Sequence, residues 1–210
     1  MTSPLVASVN VAPIAVLDHR GRSVTSAIGK QPVAGRVATV GDNLAGDDQA
    51  DRSVHGGPDR AVYAYASEDL EWWAGEIGRP VPAGSMGENL TTTGVDVTGA
   101  TVGERWRIGT VVLEVTAPRV PCFKLGIRMG DPRFPQRFAR AGRPGAYLRI
   151  IEHGELAAGD SITIVDRPAH GVTVELVARA YHDDQSLASR LLAAPQLEAG
   201  WIAWARSHAS

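Results

Sequence analysis

From Leu5 to about Thr116 the chain is written in short β-branched runs set apart by glycine, proline and aspartate, and this punctuation limits the fold most. The runs from Val6 to Val11, Gly35 to Val40, Arg60 to Tyr65 and Arg107 to Val115 read as strands, several with apolar and polar residues in alternation. A mainly β architecture is expected, a strand-rich barrel or sandwich with a few peripheral helices. One helix interrupts it. Ser67 suits its N-cap, Glu68 and Asp69 its first turn, Leu70, Trp73, Ala74 and Ile77 one apolar face, and Gly78 its end. The aromatic residues of that helix read as core.

Farther along, Phe134 to Ala141 reads as a short helix, Gly145 to Ile151 as a strand, Glu152 to Glu155 as a turn leading to a partner, and Gly159 to Val165 as a further strand. Arg167 to Gly171 looks like a boundary, after which the apolar period changes. Thr173 can cap a helix carrying Val174, Val177 and Tyr181, Ser186 one carrying Leu187 and Leu191, and Pro195 can open a third that ends near Trp204. The expected organisation is a β-barrel domain over residues 1–168 and a three-helix segment over residues 169–210. That segment is too small to fold well alone, so it is expected to pack on the barrel, giving α+β overall. Trp201 and Trp204 would fit a homodimer interface if exposed, although apolar helix positions of this kind are more often internal core.

With 210 residues, 44% of them apolar, the chain can bury a substantial core. Its formal net charge of −2 and pI near 6.3 argue against broad nucleic-acid binding. No run approaches the roughly 18 apolar residues that span a bilayer, so no membrane partner is expected. The opening Met1-Thr2-Ser3-Pro4-Leu5 carries no basic region followed by an apolar run, and no secretory signal is read there. A single cysteine excludes an intrachain disulfide, which suits a reducing cytoplasm.

That cysteine, Cys122, stands in Ala117-Pro118-Arg119-Val120-Pro121-Cys122-Phe123-Lys124-Leu125. The two prolines fix φ and remove two donors, so a stiff, irregular loop is expected. Arg119 and Lys124 are near enough in sequence to favour a thiolate, which is a nucleophile or a soft-metal ligand. A buried structural thiol is the ordinary alternative. Three glycine-bearing loops are candidate binding elements: His55-Gly56-Gly57, Gly87-Glu88-Asn89-Leu90-Thr91 and Gly142-Arg143-Pro144-Gly145. Paired glycines let backbone amides approach a ligand, and Lys30 adds a cation in a loop-like setting. The acidic run from Asp42 to Asp51 lacks the glycine and glutamate positions of a calcium loop. One cysteine and unpaired histidines suit zinc poorly, and neither a Walker nor a dinucleotide glycine loop is present. His55 is the candidate base were Cys122 a hydrolytic nucleophile.

The ordered set of Gly46-Asp47, Gln49-Ala50-Asp51, His55-Gly56-Gly57, Arg60-Ala61-Val62-Tyr63, Gly87-Glu88-Asn89-Leu90, Pro118-Arg119-x-Pro121-Cys122-x-Lys124-Leu125 and Gly142-Arg143-x-Gly145-Ala146-Tyr147 resembles the MOSC domain proteins, most closely their YiiM-like branch. The resemblance covers roughly residues 5–166 and extends to the helical tail. It implies a strand-rich barrel that binds the molybdenum cofactor, with Cys122 as molybdenum ligand. Lys30, His55, Gly56, Gly57, Arg60, Asn89, Arg119, Lys124 and Arg143 are then candidate contacts for the pterin and its phosphate. The implied activity is reduction of N-hydroxylated compounds such as hydroxylaminopurines, with His55 delivering protons. Electrons would come from a separate reductase, since the chain carries no flavin, haem or iron–sulfur motif. The alternative is a carrier that holds sulfur, as a Cys122 persulfide, or the cofactor, without turnover. MOSC modules also occur fused to pyridoxal-phosphate sulfurase domains, a half that is missing here.

Overall fold

The computed structural model describes residues 3–50 and 56–209. Its first half contains β1 (Leu5–Val11), β2 (Ala15–His19), β3 (Arg22–Ser26), β4 (Gln31–Pro32), β5 (Val37–Val40), β6 (Asn43–Leu44), β7 (Val62–Ala66), α1 (Ser67–Ile77) and β8 (Leu90–Thr93). There follow β9 (Arg105–Ile108), β10 (Val111–Pro118), α2 (Phe123–Met129), α3 (Phe134–Arg140), β11 (Ala146–Glu152), β12 (Glu155–Leu156) and β13 (Ile162–Asp166), then α4 (Val174–His182), α5 (Ala188–Leu191) and α6 (Ala199–His208).

Eight strands join one sheet in the order β13-β9-β10-β11-β7-β8-β1-β4, antiparallel throughout except for the parallel pair β7 and β8. The described strands form a sheet-rich α+β fold, the class expected; no closed ladder is found among them, so the barrel itself is not shown. A single bridge between Leu5 and Ser161 links β1 to the approach of β13, helped by the Val6 amide donating to the Asp160 carbonyl at 2.9 Å. Among the described residues no helix is long and apolar enough to cross a membrane.

Alternation along β7 divides the core. Val62, Ala64 and Ala66 face the main apolar cluster, whereas Tyr63 and Tyr65 point to the other side, among Trp73 of α1 and Phe134 and Phe138 of α3. Trp73 Nε1 donates to the Tyr65 hydroxyl at 2.9 Å, so the ring nitrogen is buried with its partner. β10, at the centre of the sheet, is buried at all eight positions. Pro118 is tolerated there because it is the last residue of the strand.

Several elements differ in detail from expectation. Ser67 is the first helical residue and not the cap, while Gly78 ends α1 in the left-handed conformation as expected. The segment after β11 does not form a hairpin with it; β12 pairs with β5, and Thr39 N and Gly154 O join the two at 2.9 Å. α2 is absent from the sequence reading. Gly126 looks like a breaker, but a Cβ there would lie 3.0 Å from the Asp131 carbonyl, so the glycine permits α2 to pack on the turn before α3.

In the tail, the Thr173 hydroxyl caps α4 by accepting from Leu176 N at 3.1 Å. Asp184 rather than Ser186 caps the next turn. Pro195 does not open α6, which starts at Ala199, because Arg149 holds the Gln196 carbonyl at 2.6 Å and keeps that segment against the sheet. The tail helices share a cluster with Val102 and Ala117 of the sheet region, and Trp201 is buried in it.

Candidate active site

Sheet order gathers the candidate residues. β11, β7, β8 and β1 are neighbours, and register sets Pro118 at the end of β10 across from Ala146, Ala146 across from Ala64 and Ala64 across from Leu90 at the start of β8, so the segments leading into β7 and β8 and the segment leaving β10 lie close together. There they line one pocket together with the base of the β2–β3 hairpin, around Ser26 and Ile28, and the loop after β6, around Asp47 and Gln49. Register places Tyr63 directly across from Tyr147, with ring centroids 5.1 Å apart, and both rings line the pocket.

One wall is a buried polar frame. Asp47 accepts from the Lys30 ammonium, from Asn89 Nδ2 at 2.9 Å and from the Ala12 amide at 2.9 Å. Asn89 also accepts from the Tyr63 amide at 3.0 Å and donates to the Asn10 carbonyl at 3.3 Å, which commits both ends of its side chain. Burial pushes Lys30 below the ordinary lysine value, against the pull of Asp47. Glu88, completely buried, turns away from solvent and accepts from the Gly84 amide at 2.6 Å, the Met86 amide at 3.0 Å and the Thr91 hydroxyl at 2.9 Å. It therefore clamps its own loop. Gly87 is required in that loop: its φ is +76°, and a Cβ would fall 2.7 Å from Ile28 Cγ1.

The other wall carries the thiol. Cys122, half-buried and free, ends the irregular stretch after β10 and stands immediately before α2. Arg119 is buried behind it, donating to the Met86 carbonyl, with its guanidinium carbon 5.0 Å from the Tyr63 ring centroid. Burial works against the Arg119 cation, but the Tyr147 and Tyr63 phenols and the Cys122 thiol outweigh it and hold its pKa above the ordinary arginine value. Lys124, half-buried, lines the pocket and makes no ion pair among the described residues. Arg60 lies 5.7 Å from the Tyr147 ring centroid and is gripped by Glu198 through bonds of 2.8, 3.0 and 3.1 Å.

The structure thus brings Lys30, Arg60, Asn89, Arg119, Cys122 and Lys124 to one pocket. Arg143 is elsewhere: it pairs with Asp69 and stacks on Trp72 at 4.7 Å, bordering a different cavity. Gly57 donates its amide to Gln49 Oε1 at 3.0 Å, and Gln49 Nε2 donates to the Arg60 carbonyl at 3.0 Å, so the Gly56-Gly57 step is folded against the acidic loop. His55 lies outside the described residues. Sequence reasoning passed over Asp47 and Gln49 as site residues, because they sit in a run that reads as ordinary turn, and over Tyr63 and Tyr147, which read as strand core. Glu198 gives no local signal, being 138 residues from Arg60.

Among the described residues no group of three or more His, Cys, Asp or Glu side chains is placed to hold a metal ion. The fold and pocket define a sheet-rich α+β protein that presents one thiol to a cationic, partly buried cleft. The chain belongs to the MOSC domain family, whose model matches residues 51–163. It is similar to the protein YiiM of Escherichia coli (strain K12), with 34% identity over 183 residues, covering 84% of this chain and 81% of that one. A reductase of Gibberella moniliformis is 39% identical over 153 residues, which cover 70% of this chain but 27% of that protein. The crystal structure of YiiM from Geobacillus stearothermophilus superimposes with a TM-score of 0.80 at 28% identity, covering 99% of this chain and all of the other.

Proposed function

We propose that the chain is a molybdenum-cofactor-dependent reductase of N-hydroxylated compounds such as hydroxylaminopurines, with Cys122 as the sulfur ligand of the metal. The observation that carries this reading is the placement of a half-buried thiol in the same pocket as Lys124, Arg60 and Arg119 in a MOSC chain. The name of the Gibberella relative supports the reaction type.

The donor set fits this cofactor better than a bare ion. One sulfur and no multidentate cluster among the described residues suit a metal that arrives in its own sulfur chelate and needs one more soft ligand. Bound there, the cofactor would supply two-electron redox chemistry and accept the oxygen removed from the substrate. Cys122 offers the sulfur. Lys124 would hold a phosphate, and Arg60, whose Nε and Nη2 are taken by Glu198, adds its positive charge to the same lining. Arg119, fixed beneath the thiol, keeps that side of the pocket positive. Asn89 and Asp47 are committed to the frame and serve by fixing the cavity's shape. The overall reaction takes R–NHOH, two electrons and two protons to R–NH2 and water, with the electrons drawn from a separate reductase.

The test is molybdenum content by elemental mass spectrometry of wild type and Cys122→Ala, both purified without oxygen from cells that make the cofactor, followed by turnover of 6-N-hydroxylaminopurine with dithionite and methyl viologen. Metal near one per chain, lost in the variant, together with molybdenum-dependent amine formation, is the expected result. Metal that survives the substitution removes Cys122 from the ligand role. Extra sulfur on Cys122 without turnover would instead favour the carrier.

A further inference from the structure

The charge of this chain is unevenly placed. Residues 119–143 contain seven arginines and lysines against one acid, Asp131, a net of +6 within a chain whose formal net charge is −2. Arg119 is buried, Arg137 pairs with Asp131 and Arg143 with Asp69. Lys124, Arg128, Arg133 and Arg140 remain, and among the described residues the Arg128 guanidinium bonds the neutral Lys30 carbonyl, at 3.3 Å, and no acid. The β2–β3 hairpin adds Arg20 and Arg22 with Asp18 as its one acid. Hairpin and helix meet: the His19 and Phe123 rings are 4.9 Å apart, and Arg20, Phe123, Ile127 and Pro132 line one groove. At its centre Phe123 is 46% exposed, and the neighbouring Val120 is 40% exposed.

An apolar groove that Arg20 lines and that the Arg133 backbone adjoins through Pro132, set in a segment with a strong excess of cations, is the make-up of a protein interface with electrostatic steering. Phe123 is next to Cys122, so a partner seated here covers the thiol side of the pocket. Nucleic acid is the poorer fit, because the charge outside this face is acidic and would repel a phosphate backbone.

We propose that the face formed by α2, the turn before α3 and the β2–β3 hairpin docks an acidic electron-carrier protein, which delivers electrons to the Cys122 pocket. This rests on the reductase reading. Each turnover then takes two reduced one-electron carriers, one R–NHOH and two protons to two oxidised carriers, R–NH2 and water.

The experiment uses the full chain and flavodoxin, a strongly acidic one-electron carrier. Binding is measured by titration calorimetry at low and high salt for wild type, for the double variant Arg20→Glu/Arg133→Glu, and for Arg206→Glu, which reverses an exposed cation on α6. Circular dichroism checks that each variant is folded. The expected result is wild-type binding that weakens roughly tenfold in the double variant and in high salt, with Arg206→Glu unchanged. Equal binding by wild type and double variant, equal loss in Arg206→Glu, or tighter binding of a single-stranded oligonucleotide overturns the proposal. Turnover with dithionite separates the two ideas: intact, charge-dependent binding in a chain inert to dithionite would leave the docking face standing and sink the reductase reading.

Discussion

The two walls of the pocket are built on opposite principles. In the frame, Lys30, Glu88 and Asn89 are buried residues, the Asp47 side chain is only 3% exposed, and all four are bonded to another part of the protein. On the facing wall Cys122 and Lys124 are half-buried and Phe123 is exposed, and the structure records neither an ion pair for Lys124 nor a disulfide for Cys122. A buried polar network is rigid only when all its members are satisfied, whereas groups left without protein partners are those whose binding capacity is available to a ligand. The frame keeps the cavity's shape, and in the proposed function the chemistry falls to the thiol wall.

The comparison breaks most readily at Asp47. Asp47→Ala leaves the Lys30 ammonium buried without its partner, an expected loss of about 3–5 kcal/mol. Urea unfolding measures it, and a loss below about 1 kcal/mol would mean that the frame is not structural. The double variant Lys30→Met/Asp47→Leu should recover only part of that loss: the ion pair is replaced by apolar residues, but the Asn89 side chain and the Ala12 amide still lose their acceptor. Cys122→Ala supplies the contrast. Losing a half-buried thiol whose sulfur makes no hydrogen bond among the described residues should cost within about 0.5 kcal/mol of stability, while the proposed function expects the same variant to lose its metal.

Glu88 sharpens the same comparison through pH. Burial raises its pKa above the ordinary carboxyl value, against the opposing pull of the donors around it. The folded chain therefore holds this proton where the unfolded chain has already released it. Its contribution to stability is complete below the ordinary glutamate range and declines as pH rises through the raised value. Urea midpoints followed upward from about pH 4.5 should fall in wild type and fall less in Glu88→Gln. The variant itself starts lower by about 1–3 kcal/mol, because one amide oxygen cannot accept all three bonds. Parallel pH curves for the two proteins would remove Glu88 as the titrating group.

What could be read in the sequence follows from how local each signal is. Period-two alternation over Val62 to Tyr65 announces a strand and both of its faces, and Gly78 announces where α1 stops, since each depends on near neighbours. The cysteine loop was legible for the same reason, two prolines and two cations lying within a few residues of the thiol. α2 was not, because Gly126 reads as a breaker until the turn it packs against is in place. Sequence also grouped Arg143 with the pocket cations, but the partner that draws it away, Asp69, is 74 residues distant. Glu88 stands in a polar loop whose sequence reads as a candidate binding element. Only the folded loop shows its carboxylate turned back on the amides of Gly84 and Met86.

Glu198 carries a smaller expected effect than either member of the frame and joins the pocket lining to the tail. It enters the site from the residue before α6 and holds Arg60, whose guanidinium lies by Tyr147 on the pocket lining. Both partners are partly exposed, at 24% and 18% of the side chain, so Glu198→Gln should cost only about 1 kcal/mol. A purely structural contact would lose that stability and nothing more. If Glu198 instead fixes the Arg60 cation beside the bound phosphate of the proposed cofactor, the variant should also release cofactor a few-fold faster, and Arg60→Met, which removes the charge, should release it at least as fast. Cofactor release followed by the fluorescence of the freed pterin distinguishes the two. An unchanged release rate in Glu198→Gln would confine the contact to docking the tail, while faster release would make the C-terminal segment part of the site that the sheet alone leaves incomplete.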